Sequence, residues 1–366
     1  MPESFSINSS SGIYQVKIGK GLINDLIKKN QDNIFLIDSK LEKFLGNDCK
    51  KIILIDAIEE SKSLESIPKI LLNLKKLGAN RKTHLIAIGG GVIQDIATFV
   101  ASIFMRGISW SYLPSTLLGM VDSCIGGKSS INLKGYKNLI GNFYPPKDIL
   151  IDLVFIKSLE PDQIIGGLLE AVKICYAKGS KEFLNYINID PKFPLTISKA
   201  QNIIFLSLKT KKWFIEKDEF DQKERLLLNY GHTFGHALEG ATNFAISHGV
   251  AVGIGMIVAN IFSLKMNNYK KNELTQINAL TDHIIKLLGK NLINVSKKMP
   301  EIFIKDIIEK FDSDKKHISG FYRVIIPNKK GALYLSEYPI NLETKKIILH
   351  SYVEGLKSVK YNAVVQ

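Results

Sequence analysis

Three of the chain's seven histidines fall within 17 residues, from His232 to His248. They lie in the run Arg225-Leu-Leu-Leu-Asn-Tyr-Gly-His232-Thr-Phe-Gly-His236-Ala-Leu-Glu239, with His248-Gly249 further on. His232 and His236 are four apart, which on a helix puts two imidazoles on one face, the arrangement of two metal ligands. No Glu follows His232, so the HExxH metalloprotease motif is absent. A histidine on its own is usually a core or surface residue; three beside a glycine-rich turn point to a metal or active site. Upstream, Glu170-Ala-Val-Lys173 places opposite charges three apart on a helical face, ordinarily a surface ion pair.

Two other segments have chemical content. Leu85-Ile-Ala-Ile-Gly-Gly-Gly-Val-Ile-Gln-Asp95 runs from an apolar strand through three glycines into a helix. Glycines let a backbone approach a phosphate, and a helix N-terminus offers it free N–H groups. The spacing is not GxGxxG, so a dinucleotide turn and a plain tight turn both remain open. Thr116 to Asn138 contains Asp122, Gly126-Gly127-Lys128 and Lys137-Asn138, a set suited to a phosphorylated, hydroxylated substrate or to an exposed basic loop. A Walker A reading fails because its first glycine would have to stand at Asp122.

Positioning these groups requires two kinds of scaffold. The first part alternates short apolar runs (Ile34–Asp38, Ile52–Asp56, Leu85–Ile88, Trp110–Leu113) with helical segments such as Ser66 to Leu77, which predicts an α/β domain with a parallel, Rossmann-like sheet. Beyond about residue 157 helices dominate: Gln163–Lys178, Ala200–Glu216, His232–Ala241, Gly249–Lys265 and Glu273–Leu288, with one late strand at Phe321–Ile326. The expected division is an α/β domain over 1–156 and a mostly α-helical domain over 157–366. A length of 366 residues with 45% apolar and 23% charged residues suits two folded domains and excludes a disordered chain. The net charge of +14 suggests an anionic partner, though the lysines are scattered and no nucleic-acid motif is present. Cys49, Cys124 and Cys175 form no CxxC pair, which excludes a disulfide framework and a thiolate zinc site. The N-terminus shows no signal-peptide pattern, and the longest apolar run, Gly249 to Leu264, reads as a buried helix shorter than a membrane span. A cytoplasmic protein is the expectation.

Four ordered blocks resemble a known family, the 3-dehydroquinate synthases of the sugar-phosphate cyclase group. They are Gly89-Gly-Gly-Val-Ile-Gln-Asp95, Leu113-Pro-Ser-Thr-Leu-Leu-Gly-Met-Val-Asp-Ser-Cys-Ile-Gly-Gly-Lys128, Leu228-Asn-Tyr-Gly-His-Thr-Phe-Gly-His-Ala-Leu-Glu239 and Ser247-His-Gly-Val-Ala-Val-Gly-Ile-Gly-Met256. The resemblance implies an NAD-binding α/β domain, a helical metal- and substrate-binding domain, a divalent metal (zinc, with cobalt an alternative) and a homodimer. It places the metal on Glu170, His232 and His248, and moves His236, which spacing alone favours as a ligand, to the substrate phosphate. It places NAD on Asp38, Glu59, Lys62, Gly90, Gly91, Asp95, Ser115, Thr116, Asp122, Lys128, Lys137, Phe155, Ser158, Leu159 and Gln163. Asp38 ends a strand, where a carboxylate can hold ribose hydroxyls, which favours NAD over NADP. Substrate contacts fall on Asp122, Lys128, Asn138, Lys173, Lys211, Arg225, Asn229, His236 and one of Lys315 and Lys316, while Arg106 matches an arginine that reaches the partner subunit's phosphate pocket.

The implied reaction converts 3-deoxy-D-arabino-heptulosonate 7-phosphate to 3-dehydroquinate and phosphate. A ring hydroxyl is transiently oxidised, phosphate leaves, the ketone is reduced again, and an intramolecular aldol closes the carbocycle with no net redox change. Lys128, Asn138, Asn229 and His236 would hold phosphate; Lys211 and Arg225 would hold the carboxylate. Gln94 stands where the family usually has Gly, Ser129-Ser130 where it has Thr-Gly, Leu133 where a His is frequent, and Cys124 where it has Ser. The alternatives are a sister cyclase acting on another heptulose or hexose phosphate and an NAD- and metal-dependent polyol dehydrogenase.

Overall fold

A computed structural model describes residues 3–29, 33–46, 49–134, 136–270, 274–289, 304–314 and 317–365. Lys315 and Lys316 lie outside the described residues. The chain forms two compact units, one of Met1–Leu159 with Thr196–Phe220, the other of Glu160–Leu195 with Asp221–Gln366. A single cut after residue 156 does not describe this division, because one long helix returns to the first unit.

The first unit is built on a seven-stranded sheet. Its strands are β1 (Glu3–Ser9), β2 (Gly12–Gly19), β3 (Ile34–Asp38), β4 (Ile52–Ile55), β5 (His84–Gly89), β6 (Ser109–Pro114) and, after a small hairpin of β7 (Ile131–Leu133) and β8 (Tyr136–Ile140), β9 (Asp148–Asp152). The order is β1-β2-β9-β6-β5-β3-β4, parallel throughout except for the antiparallel β1–β2 edge. Leu85 to Ile88 are all 0% exposed, the continuous apolar run of a strand covered on both faces. Helices α1 (Leu22–Lys29), α2 (Ile67–Lys76) and α3 (Gly91–Ile103) come after their strands; α3 makes the crossover of the β5–β6 parallel pair, and α2 carries the chain from the edge strand β4 past β3 to β5. The four strands and the α2 segment expected from sequence all form, with ends moved by a residue or two.

The returning helix (Ile197–Lys217) is tied to the first unit by polar contacts. Its Ser207 hydroxyl donates to the Val121 carbonyl at 2.9 Å, and its Lys211 ammonium donates to the Asp122 carbonyl at 2.6 Å.

In the second unit, α4 (Pro161–Lys178) and α5 (Ser180–Asn188) precede that returning helix, here α6, and α7 (His232–Ala241), α8 (His248–Met266), α9 (Thr275–Leu288), α10 (Ile304–Asp312) and α11 (Leu342–Val365) come after it. The expected strand at Phe321–Ile326 is observed as β10 (Phe321–Pro327), antiparallel to β11 (Leu333–Pro339). A capping box starts α4: the Glu160 carboxylate accepts from the N3 backbone, and the Gln163 side chain accepts from Glu160 N–H at 3.0 Å. At 19 residues and mean hydropathy 1.7, α8 is longer than the apolar run suggests and could span a bilayer by length. Yet 78% of that stretch is buried inside the protein, so it is a core helix.

Backbone-to-backbone contact sets α8 against its neighbours. A Cβ on Gly255 would stand 2.2 Å from the Gly231 carbonyl oxygen, and one on Gly249 would stand 2.4 Å from Gly166 Cα. The reverse substitution is roomier: a Cβ on Gly166 meets nothing nearer than Gly249 Cα at 3.5 Å. Gly249→Ala and Gly255→Ala should therefore each cost on the order of 1–3 kcal/mol by forcing the helices apart, while Gly166→Ala should cost less than either. Denaturant unfolding of the three variants checks this, and equal losses at Gly166 and Gly249 would contradict the packing described.

Candidate active site

The second unit gathers the histidines around one carboxylate. His232 opens α7, His236 lies one turn on, and His248 opens α8. Their ring centroids are 5.2–5.4 Å apart pairwise, and one nitrogen from each lies within 4.8 Å of the others, a group able to hold a metal ion. Glu170, on α4, is fully buried, with Oε1 3.8 Å from His232 Nε2 and 3.6 Å from His248 Nε2. Ligand atoms held tetrahedrally at about 2.0–2.1 Å from an ion stand about 3.4 Å apart, so these separations suit two imidazoles and a carboxylate around one ion. No described residue donates a hydrogen bond to Oε1, whereas Oε2 is ion-paired to Lys173. Far from being a surface pair, Glu170 and Lys173 have side chains 1% and 2% exposed, because α4 is buried on every face from Ile164 to Ala177.

His236 is exposed, at the rim of the cluster. Glu239, two turns beyond His232 on α7, accepts from His248 Nδ1 at 3.1 Å. Burial opposes charge on His248, but the Glu239 hydrogen bond and the charges of Glu170 and Glu239 outweigh it and raise its pKa. Arg225 is 3% exposed on the turn before α7, and Asn229 Nδ2 donates to the Leu226 carbonyl at 3.2 Å.

The first unit gathers a second set. The β5–α3 turn is fixed by the Tyr112 hydroxyl, which donates to the Gly89 carbonyl at 3.0 Å and lies 3.2 Å from that of Gly90. A Cβ on Gly90 would press on Thr116 Cγ2 at 3.0 Å, whereas one on Gly91 would meet nothing within 4 Å, so the N-terminus of α3 is open to approach there. Ser115 donates its backbone N–H to the Gly89 carbonyl at 2.9 Å. Behind the turn, Lys62 is 3.1 Å from Asp95, 2.8 Å from Asn138 Oδ1 and 3.4 Å from Glu59, and Lys137 lies 3.8 Å from Glu59. Asp95 also accepts from Ser130 N–H at 3.0 Å. Its side chain is 21% exposed, and burial pushes its carboxyl up to about 6 against the opposing pull of Lys62.

Asp122 sits in the π-helical turn Gly119–Ser123 and pairs with Lys211 at 2.7 Å. Lys211 thus has a carboxylate partner from its own fold, and its buried charge is no sign of an acidic substrate. Lys128 is exposed, its ammonium 5.9 Å from the Phe143 ring centroid. Asp38 ends β3 and caps the next turn through Lys40 N–H at 3.1 Å. Phe155 is buried against Phe44, and Ser158 donates to the Phe155 carbonyl at 2.9 Å. Leu159 ends the first stretch of the first unit, and the exposed Gln163 lies in the second unit, within the α4 cap. Arg106 is exposed at a left-handed φ of 68°.

Sequence reasoning gave no role to Glu239, Asn132 or the Gln94–Ser123 pair. Asn132 Nδ2 donates to Glu59 at 2.8 Å while its Oδ1 accepts from Asn138 N–H at 2.8 Å. Gln94 is buried, donates to the Ser123 carbonyl at 2.6 Å and accepts from the Ser123 hydroxyl at 2.6 Å. Only Glu239 carried a usable signal, its seven-residue spacing from His232, which returns it to the same helical face.

Whole-chain comparison places this architecture in a class. Solved 2-deoxy-scyllo-inosose synthase superposes with a TM-score of 0.78 at 23% identity, covering 97% of this chain and 100% of that one. The 2-epi-5-epi-valiolone synthase of Streptomyces hygroscopicus gives 0.75 at 20% over 93% and 97%, and a probable glycerol dehydrogenase of Sinorhizobium meliloti 0.61 at 14% over 94% and 97%. The fold is that of the sugar-phosphate cyclases and their dehydrogenase relatives. Within it, the family model described as 3-dehydroquinate synthase N-terminal matches residues 52–166 and the C-terminal one residues 167–317. The 3-dehydroquinate synthase of Dictyoglomus turgidum is 34% identical over 94% of this chain and 97% of its own length, and that of Pyrococcus abyssi 36% over 88% and 90%. The chain belongs to the 3-dehydroquinate synthase family.

The Asp95 network yields a pH prediction. Its folded pKa, about 6, lies above the ordinary 3.8, so the fold favours the protonated form. This group therefore adds to stability as pH falls through about 6 toward 3.8, opposite to an ion-paired carboxylate. Carbon-13 carboxyl NMR, assigned with Asp95→Asn, should show a midpoint near 6. Lys62→Met should move it higher, since Lys62 holds it down; an unshifted midpoint in the wild type, near the ordinary 3.8, would refute the burial argument.

Proposed function

We propose that this chain is an NAD- and metal-dependent cyclase converting 3-deoxy-D-arabino-heptulosonate 7-phosphate to 3-dehydroquinate and phosphate, a carbon–oxygen lyase of aromatic amino-acid biosynthesis. The observation that carries the reading is the Glu170 oxygen facing two imidazole nitrogens in a chain of this family. Relatives named 3-dehydroquinate synthase reach 34–36% identity, against 23% for the 2-deoxy-scyllo-inosose synthase, which favours dehydroquinate over a sister product. One structure of that synthase carries carbaglucose-6-phosphate, NAD+ and Co2+, and the valiolone synthase carries NAD+ and Zn2+.

In this reading Glu170, His232 and His248 hold the metal, whose donor set of one carboxylate and two imidazoles suits zinc or cobalt. NAD lies against Gly90 and Gly91, where the open N-terminus of α3 offers N–H groups to its pyrophosphate. When bound, NAD supplies a regenerated hydride acceptor and the metal a Lewis acid. The chain's own residues do the positioning. Lys128, Asn138, Asn229 and His236 hold the phosphate; Asn138 accepts from Lys62 through Oδ1, which makes its NH2 end the donor. Arg225 offers a planar fork to the carboxylate. Asp122 keeps Lys211 in place, and Lys173 orients Glu170. Arg106, on the surface, reaches a second subunit in a cytoplasmic homodimer.

Metal content and substrate preference test this reading separately. His232→Ala should lose bound zinc by elemental analysis, while His236→Ala should retain it and bind phosphate more weakly. Loss of zinc from both would favour the three-histidine ligand set. The wild type with NAD and metal should release phosphate from the heptulosonate phosphate faster than from neutral heptulose or hexose phosphates, with no accumulation of NADH. Faster turnover of a neutral sugar phosphate would identify a sister cyclase, and accumulating NADH a dehydrogenase.

A further inference from the structure

We propose that Glu239 is a positioning residue that fixes the tautomer and ring direction of His248, so that Nε2 faces the metal. The inference rests on the proposed metal site and assigns a role to a residue outside the ligand set. The two nitrogens of His248 face two different carboxylates: Nε2 is 3.6 Å from Glu170 Oε1, and Nδ1 is 3.1 Å from Glu239 Oε2. A neutral imidazole has one N–H and one lone pair. A carboxylate on Nδ1 keeps the proton there and leaves the lone pair on Nε2, the nitrogen turned toward Glu170 and His232. The side chain of Glu239 is 17% exposed and makes its hydrogen bond to His248.

The geometry also separates Glu239 from the ligands. His248 lies between it and Glu170, so the imidazole relays the effect of the carboxylate. Glu239 arises from α7 and His248 from the first position of α8, so this bond holds the His248 ring against the neighbouring helix. Without it the ring could turn about χ2 and present either nitrogen.

The test measures metal affinity of the full-length protein by competition between zinc and a chromogenic chelator. Glu239→Ala should weaken zinc binding roughly ten- to a hundredfold, the scale for lost carboxylate support of a ligating histidine. Glu239→Gln, which keeps a carbonyl acceptor, should recover part of the loss. Glu170→Ala should lose more than either. Long-range nitrogen-15 spectra of the zinc-loaded wild type should show His248 protonated at Nδ1 and ligated through Nε2. A mixture of ligating nitrogens should appear in Glu239→Ala, a change that a purely structural role would not produce. NAD affinity, read separately, should be unchanged in each variant. Equal zinc affinity in the wild type and both Glu239 variants would overturn this inference and leave the metal reading intact. A wild type that binds no divalent metal would overturn both, and loss at Glu239→Ala as deep as at Glu170→Ala would make Glu239 a ligand instead.

Discussion

The second unit depends on three helices whose backbones touch at a few glycines. At Gly249 and Gly255 on α8, atoms of α4 and of the α7 start occupy the space a methyl group would need. That contact brings the site together. Glu170 lies one turn from Gly166 on α4, His232 immediately follows Gly231, and His248 immediately precedes Gly249. The glycines and the metal-type side chains are thus interleaved in sequence, and closing the helices on the former draws in the latter. A looser bundle would separate Glu170 from the imidazoles by more than an ion can bridge, since ligand distances of about 2.0–2.2 Å leave little tolerance.

The first unit solves a different problem, that of leaving a helix N-terminus open while keeping its surroundings rigid. Tyr112 ties down the carbonyls on the inner side of the glycine turn, so Gly91 can stay uncovered. Lys62 joins Asp95, Asn138 and Glu59, which come from a helix, a hairpin strand and a short turn. Ser130 serves Asp95 through its backbone N–H, which any residue other than proline supplies. Gln94 is satisfied in both directions by Ser123. Cys124 is buried, its thiol pushed up to about 12 by burial, and is chemically quiet.

Much of this was legible in the sequence, and the rest was hidden for definable reasons. Runs such as Ile34–Ile37 and Leu85–Ile88 announce buried parallel strands because no polar residue interrupts them. The β1–β2 hairpin alternates Phe5 and Ile7 with Tyr14, Val16 and Ile18 across a Ser-Gly turn, a period-two signal weaker than those runs and absent from the strands expected. Helix α6 reads correctly as a helix, but nothing in its periodicity says which unit it joins; Ser207 and Lys211 decide that through partners some 86–89 residues away. For the same reason Glu170–Lys173 reads as a surface pair. Spacing of three gives a shared face, and only tertiary packing buries α4 on all sides from Ile164 to Ala177.

Charge is distributed with the same economy. The chain carries +14 net, yet among the described residues each buried lysine has a carboxylate: Lys62 with Asp95, Lys173 with Glu170, Lys211 with Asp122. The excess is therefore borne outside these pairs, where it can draw an anionic substrate by long-range attraction at little cost to folding. Inside, a buried carboxylate is tolerable when both oxygens are partnered. Glu170 meets that condition only halfway, Lys173 serving Oε2 while no described donor reaches Oε1. A cation seated between Oε1 and the two imidazoles would complete it. Because the unfolded chain has no such preformed site, a cation bound there would add to the stability of the second unit by mass action.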